Sequence, residues 1–200
     1  MPQQTIIAND KNIKEIVESE INRLGNYADL NHIDVSQVTH MNDVFLASPF
    51  DGNISKWNVG NVVNMDGMFY ISMFNGDLSL WNTSKVLYMN DMFRISSFNG
   101  DLSNWDVSSV RYMDSMFESS QFNSDISKWD VSRLRSADSM FVDSPFNQDI
   151  SSWNFNNELK IDIHLLSIIE KSYLAKSQKD AQNLKLNLMS HSKVIISKSL

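Results

Sequence analysis

The stretch ISKWNVGNVVNMDGMFYISMF, residues 54–74, recurs with few changes along most of this chain of 200 residues. The five tryptophans show the recurrence best, because each lies 24 residues after the one before it: Trp57, Trp81, Trp105, Trp129 and Trp153. We call residues at the same position of successive repeats a column. Two phenylalanine columns keep the same step: Phe45, Phe69, Phe93, Phe117 and Phe141, then Phe50, Phe74, Phe98, Phe122 and Phe146. The chain is therefore predicted to consist mainly of 24-residue repeats.

The apolar positions of one repeat predict its fold. In the quoted repeat they are Ile54, Trp57, Val59, Val62, Met65, Met68 and Phe69. This spacing contains the L-x-x-L-x-L element of a leucine-rich repeat, with Trp in the second apolar position. A single repeat buries too little apolar surface to offset the backbone entropy lost on ordering it, so the repeats should fold only when stacked. We expect a right-handed leucine-rich-repeat-like solenoid with short parallel strands, short helical or irregular convex segments, and a core of like residues packed on like.

Both ends of the repeat region are expected to carry helical caps. Residues 9–24 place apolar side chains on one helical face, Asn12 and Glu15 have capping-box-like spacing, and Gly25 suits the C-terminal stop. After Trp153 the repeat decays, and a helix containing Leu165 is expected to close that end. The predicted organisation is a capping helix in residues 1–28, repeats with a leading partial repeat in 29–155, a degenerate sixth repeat and cap in 156–175, and a basic helix or mobile tail in 176–200.

Composition narrows the function classes. The chain has no cysteine, so it offers no disulfide, thiolate zinc site or cysteine nucleophile. Residues 31–154 carry 15 acidic and 7 basic side chains, a balance of −8, which argues against general nucleic-acid binding. The chain starts without a signal-peptide pattern, and no apolar run approaches the length of a membrane helix. We therefore expect no nucleic-acid partner, no membrane span and, by default, a cytoplasmic location.

Polar columns indicate tight turns. The columns are Asp51, Asn75, Asn99, Asn123 and Asn147; Asn53, Asp77, Asp101, Asp125 and Asp149; and Ser48, Ser72, Ser96, Ser120 and Ser144. Such side chains accept hydrogen bonds from backbone N–H groups one or two residues on, so all three columns are expected to cap turns. Stacked aspartates also suit calcium, but the Gly-Gly-x-Gly-x-Asp spacing of calcium-binding coils is absent. We predict no metal site and no cofactor.

A further polar column is expected to face outward from the short sheet: Asp34, Asn58, Asn82, Asp106, Asp130 and Asn154. Asp106 and Asp130 would lie side by side there, but with Lys128 nearby they indicate a mixed polar surface and not a catalytic carboxylate pair. The four histidines fall in different kinds of segment, so no nucleophile with a positioned base can be assembled. We therefore predict no catalytic residues and no enzymatic activity.

Residues that follow the predicted strand vary most between repeats, and variable positions are where a partner could be specified. The middle and late repeats collect tyrosine and basic residues there: Lys85, Leu87, Tyr88, Arg111, Tyr112, Arg133 and Arg135. We call these seven residues the rim patch. Tyr and Arg are enriched at binding hot spots, which favours a protein-binding surface. A solvated loop edge under no functional constraint is the alternative.

The repeats resemble a known family. FNGDLSNWDVSSVRYMDSMF at 98–117 and FNQDISSWNF at 146–155 are similar to the BspA-type leucine-rich repeats of bacterial surface proteins, over about residues 29–155. The resemblance implies a protein-binding or adhesive module without an enzymatic centre or cofactor. The main expectation is a non-enzymatic scaffold that binds a protein partner through the rim patch. The alternatives are a structural protein that associates with itself through its ends or its C-terminal segment, and a cell-surface adhesin.

Overall fold

Regular secondary structure is sparse in this chain. The computed structural model describes residues 4–155 and 159–175, and it contains β1 (Ile6–Ile7), α1 (Ile13–Leu24), β2 (Ile33–Asp34) and α2 (Ile163–Leu174). The two strands pair in parallel, with Ile6 opposite Ile33. The expectation for residues 176–200 lies outside the described residues. Between β2 and α2 the described chain is built from turns, with six isolated parallel bridges beyond the β1–β2 pair.

The helix expected near the N-terminus is α1, which begins at Ile13 and not at residue 9. Ile13 and Val17 are buried, and Gly25 ends the helix with a φ of +93°, a backbone conformation that glycine adopts without steric cost. The predicted capping box is wrong. The Asn12 side chain makes no cap to the helix, because its Oδ1 accepts the backbone N–H of Asn9 at 2.7 Å.

Consecutive repeats lie directly against each other through an alternating pattern of backbone hydrogen bonds. In the quoted repeat, alternate N–H groups donate to alternate carbonyls of the next repeat at 2.8–2.9 Å: Met65 to Tyr88, Gly67 to Asn90, Phe69 to Met92 and Ile71 to Arg94. Three intervening N–H groups donate to carbonyls three residues back within the same repeat: Met68 to Met65, Tyr70 to Gly67 and Ser72 to Phe69. The pattern satisfies the backbone of a segment that forms neither a helix nor a regular strand.

The parallel bridges lie later in the repeat than the sequence predicted. Five of the six isolated bridges join one column in series, His40, Asn64, Tyr88, Tyr112, Ser136 and Lys160, and the sixth pairs Asp29 with Asn53. Of the column expected on a strand, only Asp34 lies in one, whereas Asn58 and Asp106 are exposed and lie outside any strand. Asn58 Oδ1 accepts the N–H of Gly60 at 3.2 Å, and Asp106 Oδ1 accepts that of Ser108 at 3.0 Å. Asp34 Oδ1 accepts the N–H of Ser36 at 2.9 Å in the same way, so this local bond is common to the members of the column inside and outside a strand.

Aromatic columns fill the core, as the repeat pattern predicted. Trp81 stacks on Trp105 with ring centroids 6.4 Å apart and planes within 4°. Phe69 stacks on Phe93 at 5.4 Å, with planes within 2°. Every tryptophan donates its Nε1–H at 2.9–3.2 Å to the carbonyl 27 residues earlier, which satisfies the one polar atom of the indole.

One of the three predicted turn-cap columns has a different role. Side chains of the Asp51 column accept the backbone N–H that lies 24 residues later: Asp51 from Asn75, Asn75 from Asn99, Asn99 from Asn123 and Asn123 from Asn147, at 2.7–3.0 Å. They therefore join repeats and do not close turns. The other two columns do cap turns, since Asp77 Oδ1 accepts the N–H of Ser79 at 2.9 Å and Ser72 Oγ accepts that of Phe74 at 3.1 Å.

The C-terminal helix α2 packs on the last repeat. The Asp162 side chain caps it by accepting the N–H of Leu165 at 2.7 Å. Leu165 and Ile169 are fully buried, and Ser172 Oγ accepts the N–H of Ile150 at 3.3 Å. None of the helices in the described residues is long and apolar enough to span a bilayer.

An ionic cluster formed by the buried side chains of Glu20 and His32 and the exposed side chain of Arg23 links α1 to the turn before β2. Glu20 is only 6% exposed, and its carboxylate accepts hydrogen bonds from the Arg23 guanidinium at 2.9 and 2.5 Å. His32 Nε2 lies 2.7 Å from the same carboxylate. The bond from Arg23 is the largest cause of the lowered pKa of Glu20, which falls to about 2, with a further contribution from His32 and an opposing one from burial.

We predict that Trp105→Ala lowers the free energy of unfolding by about 3–5 kcal/mol, because it opens a cavity in the aromatic column. The Trp105 side chain is 3% exposed, and its loss also leaves the Leu78 carbonyl without its indole donor. Urea denaturation measures the change. Leu80→Ala is the matched control, since Leu80 is 82% exposed and its loss should change stability by less than about 0.5 kcal/mol.

We predict an acid-dependent difference between the parent and Glu20→Gln. The folded pKa of Glu20 is depressed from 4.5 to about 2, so the charged carboxylate stabilises the fold fully above pH 4.5 and loses its effect as the pH falls towards 2. Glu20→Gln lacks this contribution. Urea denaturation between about pH 2 and pH 7 should show the parent's advantage at neutral pH shrinking in acid. A difference that does not change with pH would contradict the assigned role of Glu20.

Candidate functional site

The backbone brings five of the seven rim-patch residues together on successive repeats, all except Lys85 and Arg133. The N–H of Arg111 donates to the Leu87 carbonyl at 2.9 Å, and the N–H of Arg135 donates to the Arg111 carbonyl at 2.8 Å. In the adjacent column, Tyr88 and Tyr112 are partners in a parallel bridge. Parallel pairing places successive members of a column about 4.8 Å apart. The column of Leu87 and the column of Tyr88, both chosen from sequence variability, are therefore continuous in space.

Two tyrosines form the aromatic part of this surface. The rings of Tyr88 and Tyr112 stack with centroids 5.6 Å apart and planes within 1°. Tyr88 is 36% exposed and Tyr112 is half-buried, so the stack offers aromatic surface to a partner. The residue after each tyrosine, Met89 or Met113, is completely buried. The stack is thereby held on a backbone that the core fixes on one side.

The basic side chains of the rim patch are not used in ion pairs within the described residues. Lys85 Nζ donates to Asn61 Oδ1 at 2.7 Å, which is a bond to a neutral acceptor. Arg133 and Arg135 are exposed, and Arg111 is half-buried. The pKa of Asp130 is lowered mainly by hydrogen bonds from Ser132, and Arg133 adds a smaller electrostatic contribution.

A surface cavity of about 290 Å³ opens at the C-terminal side of the tyrosine stack. Its walls are formed by Tyr112, Asp114, Arg135, Ser136 and Lys160. Asp114 Oδ1 accepts hydrogen bonds from Ser136 Oγ at 2.5 Å and from the N–H of Asp138 at 2.8 Å. The cavity therefore combines an aromatic ring, two cations and one carboxylate that is already anchored.

Lys160 is a member of this surface that the sequence-based site omitted. It continues the tyrosine column, because it pairs with Ser136 in a parallel bridge and its N–H donates to the Arg135 carbonyl at 2.9 Å. The signal was present in the sequence, since Lys160 lies 24 residues after Ser136. We use the name cationic rim for Lys85, Arg111, Arg133, Arg135 and Lys160.

The acidic columns considered for calcium bond mainly to the backbone of their own turns. Asp101 Oδ1 accepts the N–H of Ser103 at 2.8 Å, and Asp125 Oδ1 accepts that of Ser127 at 2.8 Å. The bonds from Ser127 are the main cause of the lowered pKa of Asp125. Within residues 4–155 and 159–175, no group of three or more acidic or histidine side chains is arranged to hold a metal ion.

Comparison with known families gives one match. The family model described as a Mycoplasma protein of unknown function, DUF285, matches residues 11–121 and again residues 94–167. Together the two matches span more than half of the chain, including its repeats. No curated protein and no solved structure matches the chain.

We predict that Tyr112→Ala lowers the free energy of unfolding by about 1 kcal/mol, through loss of its stacking on Tyr88. Tyr27→Ala is the matched control, because Tyr27 is 83% exposed. Its replacement should change stability by less than about 0.5 kcal/mol. Thermal and urea denaturation compare the two variants, and equal effects would show that the tyrosine stack contributes nothing to stability.

Proposed function

Because this chain belongs to the DUF285 family of Mycoplasma proteins of unknown function, we propose its function from its own surface: it is a non-enzymatic repeat scaffold that binds another protein. The binding surface is the rim patch together with Lys160. The observation that carries the proposal is the exposed Tyr88–Tyr112 stack, flanked by cations that have no ion-pair partner in the described residues. Tyrosine and arginine are the residue types that contribute most at protein interfaces.

The proposed scaffold is a leucine-rich-repeat-like solenoid of the BspA-like kind, with α1 and α2 as its caps. Its support is the repeated step of 24 residues in the parallel bridges and in the aromatic stacks. The resemblance of the repeat sequences to those of BspA-type surface proteins adds support for protein binding. A solenoid suits this role because its fixed backbone presents side chains from successive repeats along one continuous surface.

The fixed backbone of the rim patch favours its interpretation as a binding surface over its interpretation as a loop edge without a function. The rim backbone is tied to neighbouring repeats by hydrogen bonds of 2.8–2.9 Å, so the points from which its side chains project are fixed before a partner binds. A preformed surface loses less conformational entropy on binding than a flexible one. The rim patch therefore has the two properties that a binding site needs, which are suitable side chains and a fixed frame.

Self-association through the C-terminal end is the second candidate. It is favoured by two exposed apolar residues on α2, since Ile163 is 67% exposed and Leu174 is 53% exposed. In this alternative the partner is a second copy of the chain and the rim patch is ordinary surface. Light scattering over a range of protein concentrations measures the mass, and a monomer at all concentrations would contradict self-association.

We predict that Tyr88→Ala combined with Tyr112→Ala abolishes capture of the partner while the protein stays folded. The full chain serves as bait in lysates of the source organism and of its host, and quantitative mass spectrometry identifies the captured proteins. The matched control is Tyr27→Ala with Leu80→Ala, which removes two side chains that are 83% and 82% exposed. The control should capture what the parent captures. A rim variant that retains every partner would overturn the proposed site.

A further inference from the structure

We propose that the cationic rim binds an acidic peptide segment, whose carboxylates pair with these basic side chains while its backbone lies along the tyrosine stack. This inference rests on the proposed function and specifies the chemistry of the partner. Its elements are the five basic residues of the rim, the Tyr88–Tyr112 stack and the cavity that lies between Tyr112 and Lys160.

The distribution of charge supports an acidic partner. Residues 31–154 are strongly acidic, with only 7 basic side chains. Of those 7, the cationic rim takes the four at positions 85, 111, 133 and 135. Arg94 is a useful contrast, because it lies outside the rim and bonds to Asp91 at 3.2 Å and Glu118 at 2.9 Å. The rim arginines form no such salt bridge in the described part of the chain, and only Arg133 acts electrostatically on a nearby carboxylate, that of Asp130. Arg111 and Arg135 can therefore pair with the carboxylates of an acidic ligand.

Placing like charges on neighbouring repeats costs free energy in the unbound protein. Arg111 and Arg135 have directly hydrogen-bonded backbones, and Lys160 continues from Arg135 in the same way. The backbones of neighbouring repeats lie about 4.8 Å apart, so these basic side chains begin at adjacent points of the surface. Lys160 also acts electrostatically on the Asp138 carboxylate, so its charge is partly balanced within the chain. Carboxylates of a partner would reduce the remaining repulsion, chiefly that between Arg111 and Arg135.

The cavity suits a peptide better than a nucleic acid. At about 290 Å³ it admits a side chain, with Arg135 and Lys160 to meet a carboxylate and the Tyr112 ring to meet apolar atoms. Asp114 lies in the same wall and would repel a continuous phosphate backbone. A peptide instead carries neutral N–H donors between its acidic side chains, and Asp114 can accept from them. The single carboxylate thus favours a peptide.

The test uses fluorescence anisotropy with the full chain and a labelled peptide of alternating Glu and Gly. About eight residues are enough, because an extended peptide rises about 3.3 Å per residue and the rim crosses four repeats about 4.8 Å apart. The probe is compared with a Gln–Gly peptide of equal length and with a short single-stranded DNA. The test variant is Arg111→Gln with Arg135→Gln. The control, Lys56→Gln with Lys128→Gln, makes the same change in net charge at exposed positions outside the rim.

We expect the Glu–Gly peptide to bind the parent and the control variant equally, and the Arg111→Gln, Arg135→Gln variant at least about tenfold more weakly. Binding should also weaken as salt is raised. Three outcomes would each overturn the proposal. The Gln–Gly peptide could bind as tightly as the Glu–Gly peptide, the two double variants could lose the same affinity for the Glu–Gly peptide, or the DNA could bind more tightly than the Glu–Gly peptide. If the Glu–Gly peptide does not bind but capture of a natural partner still requires Tyr88 and Tyr112, the acidic chemistry is wrong and the proposed function stands. Loss of both results would overturn both proposals.

Discussion

The structure depends on how each repeat satisfies its backbone N–H groups. Alternate groups donate to the next repeat, as Phe69 does to Met92 at 2.9 Å, and the groups between them donate within their own repeat. In this alternating pattern, residues at fixed positions of each repeat adopt the left-handed backbone conformation, with a positive φ angle. The φ angle is +61° at Gly67 and +57° at Ile71, and Ile95 repeats the latter at +53°. A β-branched residue is unfavourable in this region, so the contacts between repeats must outweigh that local cost.

A constant offset between repeats explains both the core and the polar ladder. When every repeat is displaced by the same step, each side chain meets its own equivalent, which stacks Trp81 on Trp105 and lets Asn75 accept from Asn99. These columns tolerate few residue types, because a substitution in one repeat alters the packing of the equivalent side chains in both neighbouring repeats. The columns on the rim are under weaker constraint, since their backbones pair but their side chains are partly exposed. Residues of the rim can therefore differ between repeats while the stacking is kept.

The proposed binding surface combines the two consequences of this arrangement. Stacking fixes the spacing of Tyr88 and Tyr112, and weak side-chain constraint allows arginine at positions 111 and 135. Charge adds specificity to the aromatic surface, because an acidic body would repel acidic partners everywhere except along the cationic rim. Membership of the DUF285 family supplies no activity, so the proposed role follows from the surface of this chain.

The sequence by itself determined the 24-residue period, the aromatic columns and the stop at Gly25, because each follows from spacing or from local backbone preference. It did not determine whether Asn75 bonds two residues on or 24 residues on, since the residue type is the same in both cases. The bridge at Tyr88 and the contact of Glu20 with His32 were likewise decided by the tertiary structure. The physical reason is that these contacts join residues far apart in the chain, where local spacing carries no information about which donor meets which acceptor.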